Sequence, residues 1–101
     1  SSLGTPDLLG YNSFGTFFTV ELKVTKGKKV RFSPHQIAFH KTHPKNTFIL
    51  AEALGQRSSK LFQYFLIPGS RIDELVTSGL ELEAFGLTLD ASCLKLSKLG
   101  A

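Results

Sequence analysis

At 101 residues the chain has room for one domain with a modest core, so dimerisation would be a natural source of further burial. Its 42% hydrophobic and 20% charged residues match an ordinary globular protein, and no apolar run approaches the roughly 20 residues that span a bilayer. The formal net charge is +4, and seven of the twelve Lys and Arg fall between Lys23 and Lys45 with no acid among them; such a block suits either a solvated face or a phosphate backbone.

In chain order, residues 6–11 read as a short strand, with Pro6 at the position where its missing N–H costs no ladder bond. Asn12-Ser13-Phe14-Gly15 is a turn cluster, and residues 16–24 carry the strongest strand signal in the chain. So short a connection favours an antiparallel hairpin. Alternation puts Phe17, Thr19, Glu21 and Lys23 on one face and Phe18, Val20, Leu22 and Val24 on the other. The second set is the expected core face, which leaves the charged end of the first open to water or a ligand.

Lys26-Gly27-Lys28-Lys29 is a basic turn. Ser33 then begins a helix, with Pro34 suited to the first helical position and Gln36 able to close a capping box. Pro44 should stop that helix near Thr42 or His43. Residues 47–53 and 60–67 read as two further strands joined by the polar loop 55–59, and their aromatics Phe48, Phe62, Tyr64 and Phe65 are expected in the core. Ser70 is a candidate cap for a second short helix carrying Ile72, Leu75 and Val76 and ending near Gly79. The leucine-rich tail from Leu80 fits no single period. The order β-β-α-β-β-α predicts an α/β domain: a small mixed sheet with flanking helices, in one unit over residues 1–101.

The chemistry gathers on the hairpin. Asp7 and Glu21 lie on adjacent strands, and two carboxylates there are the oxygen ligands that a hard cation such as Mg²⁺ requires. Lys23 shares the face of Glu21, where an ammonium can orient an attacking water or steady charge on a phosphate. Gly4-Thr5-Pro6-Asp7-Leu8, then Glu21-Leu22-Lys23, the basic turn, and Ser33-Pro34-His35-Gln36-Ile37-Ala38-Phe39 together resemble the PD-(D/E)xK signature of restriction-endonuclease-like nucleases. The fuller pattern is similar to the VRR-NUC branch, and the likeness spans about residues 4–67.

The resemblance implies a restriction-endonuclease-like core and a metal-dependent endonuclease that hydrolyses DNA phosphodiester bonds. Asp7, Glu21 and the Leu22 backbone carbonyl would hold Mg²⁺, with Mn²⁺ a substitute. Lys23 would position the water, and Gln36 would approach the same site. Lys26, Lys28, Lys29 and Arg31, with Ser33 and His35 beside them, are the candidate nucleic-acid contacts. Many family members carry a further acid on a helix before the Pro-Asp strand, and only six residues precede Asp7 here; a partner chain, a longer protein or a branch without that acid would account for it. Branched or Holliday-junction DNA, cleaved structure-selectively, is the substrate the resemblance implies first, and cutting both strands of a duplex or junction would most simply use a homodimer. A homing or repair nuclease is the alternative within the class, and a non-catalytic nucleic-acid-binding module or an assembly protein the alternatives outside it.

Blander roles exist for each residue: Asp7 as an acid after a turn, Glu21 and Lys23 as a surface ion pair, Gln36 as a capping residue. His35, His40 and His43 have no cysteine partners and only the last two share a helical face, so a polar or DNA-facing surface is expected of them rather than zinc. Cys93 is the single cysteine, which excludes an internal disulfide framework; it is expected to be a small buried hydrophobe in a reducing, cytoplasmic setting. The opening Ser1 to Asp7 has neither the basic start nor the apolar core of a signal peptide.

Overall fold

A computed structural model of the chain describes residues 6–27, 29–54, 64–79, 86–87 and 89–101. Its strands are β1 (Leu8–Tyr11), β2 (Phe17–Thr25), β3 (Thr47–Ala53), β4 (Tyr64–Pro68) and the two-residue β5 (Gly86–Leu87); its helices are α1 (Pro34–Thr42), α2 (Ile72–Ser78) and α3 (Leu89–Ser97). The strands form one mixed sheet in the order β1-β2-β3-β4-β5. Only β2 and β3 are parallel, and the chain between them carries α1, as a parallel pair requires a crossover too long for a hairpin. The expected small mixed sheet with flanking helices is therefore present. The loop at 55–59, Lys28, Phe62 and the first four residues of the strand expected at 60–67 lie outside the described residues.

Asn12 fixes the hairpin. Its Oδ1 accepts from the Phe14 and Thr16 N–H groups at 3.0 and 3.1 Å, and its Nδ2 donates to the Leu96 and Leu99 carbonyls at 3.0 and 2.8 Å. Leu96 is in the last turn of α3 and Leu99 follows it, so this one side chain both shapes the turn and pins the end of α3 to it. Gly15 closes the turn at φ 77°, a left-handed conformation that glycine adopts without steric cost.

The main core lies between the sheet and the layer of α1 and α2: Val30, Ile49, Ala51, Ala53, Phe65, Ile67, Ile72 and Leu75 are buried together, with Phe32 and Ile37 packed against them. This reverses the expected polarity of β2. Of the four residues assigned to its core face only Val20 is buried; Leu22 and Val24 are 46% and 64% exposed. The face with Glu21 and Lys23 turns to the helices instead. Its neighbours decide the matter, since Glu21 pairs with Ile49 and Lys23 with Ala51, both fully buried under the crossover helix. On the opposite face α3 sits over Phe48, Leu66 and Pro68 through Leu96 and Leu99. Cys93 is exposed on α3 rather than buried. The second helix starts after a single 3-10 turn, Gly69–Arg71, and its N-cap is Arg71 rather than Ser70, with no side-chain cap hydrogen bond. The tail that fits no period supplies β5 and α3.

Candidate active site

Ser33 caps α1 as its sequence predicts. The Ser33 hydroxyl accepts from the Gln36 N–H at 3.2 Å, and Gln36 Oε1 accepts from the Ser33 N–H at 2.9 Å. The same Gln36 oxygen also accepts from Lys23 Nζ at 2.9 Å, so the start of the helix is tied to the last part of β2. Lys23 Nζ lies 3.4 Å from Glu21 Oε2 and 4.8 Å from the centre of the Phe32 ring, a position where carboxylate and ring face both favour a cation. Glu21, Lys23 and Gln36 thus converge between one strand and the helix that follows it.

Asp7 approaches from the adjacent strand. Leu8 pairs with Val20, so one further step of that register sets Asp7 opposite Glu21. Asp7 Oδ2 accepts from the Leu22 N–H at 2.7 Å. Within a strand the N–H and C=O of one residue point to the same side, so the Leu22 carbonyl is directed to the Asp7 side as well.

Glu21 is not a surface acid. It is 0% exposed, and its Oε1 lies 3.3 Å from Nε2 of His40, which is equally buried. His40 Nδ1 is 3.4 Å from Thr47 Oγ1, and that hydroxyl donates to the His43 carbonyl at 2.6 Å. The two nitrogens of the buried imidazole thus face Thr47 Oγ1 on one side and Glu21 Oε1 on the other. Gly69 closes over the pair: a Cβ there would come within 2.1 Å of Thr47 Oγ1 and 2.8 Å of His40 Nδ1. His40 is therefore not the surface residue its sequence context suggests, because Ile37 and His40, three apart, share the helix face that meets the sheet. That i,i+3 spacing was the available signal; the partner on β2 was hidden by the expected orientation of that strand.

Among the described residues no three metal-ligating side chains cluster, so a cation here would rest on Asp7, Glu21 and the Leu22 carbonyl. The donor set fits Mg²⁺, which commonly takes one or two carboxylates and keeps its waters. Glu21 Oε2 is a buried oxygen without a hydrogen bond, which adds a donor atom to that fit.

Lys26, Lys29 and Arg31 are exposed and, with Lys23 and Thr25, line a cleft of about 390 Å³ beyond the end of β2. The Thr25 hydroxyl holds its turn through the Gly27 and Lys29 carbonyls at 3.2 and 2.8 Å. Lys28 lies outside the described residues. His35 is exposed at the start of α1. No described helix is long and apolar enough to cross a membrane. No protein-family model, curated protein or solved structure matches the chain.

Proposed function

We propose that the chain is a Mg²⁺-dependent phosphodiesterase that cuts DNA, built on a restriction-endonuclease-like core and acting as a two-fold dimer where both strands are cut. The observation that carries the reading is the placement of Lys23 Nζ between Glu21 Oε2 and Gln36 Oε1, with Asp7 bound to the intervening Leu22 N–H. These are the residues that the PD-(D/E)xK resemblance implicates. Asp7, Glu21 and the Leu22 carbonyl would hold the ion, which when bound neutralises charge on the phosphate and makes a bound water acidic. Glu21 and Gln36 fix the Lys23 ammonium from two sides. An ammonium has three donors and Gln36 accepts one, so two remain beside Glu21 Oε2 for the attacking water or a phosphate oxygen. Lys26, Lys28, Lys29 and Arg31 hold the backbone of the strand entering that end, with His35 beside them.

The complete burial of Glu21 against His40 favours a second reading, a nucleic-acid-binding module in which this network is structural. Incubation with supercoiled plasmid and with a four-way junction, in Mg²⁺, Mn²⁺ or EDTA, separates the two. The nuclease reading expects cleavage that EDTA and Asp7→Ala both abolish. Cleavage that persists in either condition refutes the metal site, and salt-sensitive binding without cleavage under every metal condition establishes the module.

A further inference from the structure

On the helix-facing side of the sheet, two residues upstream of Glu21, lies a second groove of about 450 Å³, a volume in the range of small-ligand sites. Its lining includes Leu9, Thr19 and Thr47, the rings of Phe17, Phe39 and His43, and Lys45. Phe17 is 62% exposed, with Tyr11 beside it at 4.4 Å between ring centres. Phe39 on α1 and His43, the residue that caps that helix's end, have ring centres 5.0 Å apart. The Thr19 hydroxyl has no hydrogen-bond partner. No acidic residue lines the groove.

We propose that this groove receives an unpaired nucleobase of the DNA next to the phosphate that is cut, which rests on the nuclease reading above and gives it a substrate class: DNA with an unpaired or single-stranded nucleotide. Three features select that occupant. Open aromatic faces stack on any base, whereas a paired base in a duplex has no free face to offer. Lys45 supplies positive charge for the phosphate joined to that base. The groove also reaches the Asp7 side of the proposed catalytic site, because Leu9 lines it, pairs with Thr19 and lies two residues from Asp7. At about 3.3 Å per residue, Leu9 and Asp7 are about 7 Å apart along the chain, within the reach of one nucleotide. The groove and the basic cleft of Lys26, Lys29 and Arg31 lie at opposite ends of β2.

The test is binding in EDTA, where turnover plays no part, to two DNA duplexes that differ only in one central unpaired 2-aminopurine nucleotide. The protein is expected to prefer the bulged probe and to quench its fluorescence by stacking. Phe17→Ala should weaken the bulged complex by roughly 5- to 150-fold, the usual range for losing one base–aromatic stack, while changing the paired complex less than about twofold. Lys45→Ala should weaken both and flatten the salt dependence. Thermal unfolding of each variant checks that the fold is kept. Equal affinity for the two probes, or equal loss on both in Phe17→Ala, overturns this inference and leaves the nuclease reading standing. Absence of binding to either probe overturns both together. A dimer that Phe17→Ala dissociates, with the probe preference unchanged, assigns the groove to a second copy and also overturns it.

Discussion

Replacing His40 by leucine should unfold the protein far more readily than its neutral chemistry suggests. The substitution leaves Glu21 at 0% exposure, with its Oε1 stripped of the contact at 3.3 Å and only Lys23 near the other oxygen. Removing one partner of a buried pair costs about 3–5 kcal/mol, because the remaining charge stays desolvated. That is a large part of the about 5–15 kcal/mol typical of a whole domain. With a urea m-value of about 2 kcal/mol/M, the unfolding midpoint should fall by about 2 M. The double variant Glu21→Leu/His40→Leu removes the pair together and sets two apolar side chains beside Ile37 and Ile49. Lys23 keeps Gln36 and a partly exposed side chain, so the double variant should lie within about 1 kcal/mol of the wild type. Urea unfolding followed by far-ultraviolet circular dichroism and by tyrosine fluorescence measures the wild type, His40→Leu, Glu21→Leu and the double variant. A single variant that loses less than about 1 kcal/mol, or a double variant that loses as much as the two single changes summed, would refute the coupling between these residues.

Gly69→Ala drives a methyl into Thr47 Oγ1 and His40 Nδ1, and should cost about 1–3 kcal/mol in the same unfolding experiment. Ser33→Ala removes the helix cap and should cost about 1 kcal/mol, a drop in Tm of about 4–8 °C by calorimetry. On α2, the hydrogen bond from Arg71 holds the Glu74 carboxyl below the usual carboxylate range. A depressed acid contributes stability that is present above its unfolded value and fades as pH falls through its folded one. Carboxyl-carbon NMR of Arg71→Gln should therefore show the Glu74 midpoint moving up toward the ordinary range, and the matching acid-side loss of stability should disappear.

The elements with strong local signals were legible from sequence. Ser33, Pro34 and Gln36 announce α1, and its capping box forms as spaced; residues 47–53 form the expected strand to the residue. The Glu21–Lys23 spacing correctly puts both side chains on one face. Which face that is could not be read from β2, because its own alternation favours the side with Val20, Leu22 and Val24. Burial was decided by Ile49, Ala51 and Ile67 on neighbouring strands and by the crossover helix laid over them, none of which is local to β2. The same misreading hid His40, a polar residue whose buried place makes sense only with Glu21 and Thr47 around it. The tail resisted for a related reason: Leu96 and Leu99 face the sheet while Leu94 is 55% exposed, so its leucines serve no single stripe.

Gln36 Oε1 closes the first turn of α1 and, with the same lone pairs, holds the Lys23 ammonium. Helix ends are where native proteins open most easily, on a free-energy scale well below global unfolding. Each time that first turn frays, Gln36 swings away and Lys23 loses one of its two polar anchors. The Ser33 and Gln36 amides should therefore exchange with solvent in step with the rotational freedom of the Lys23 side chain. The lifetime of one helical turn then sets how long the lysine stays aimed.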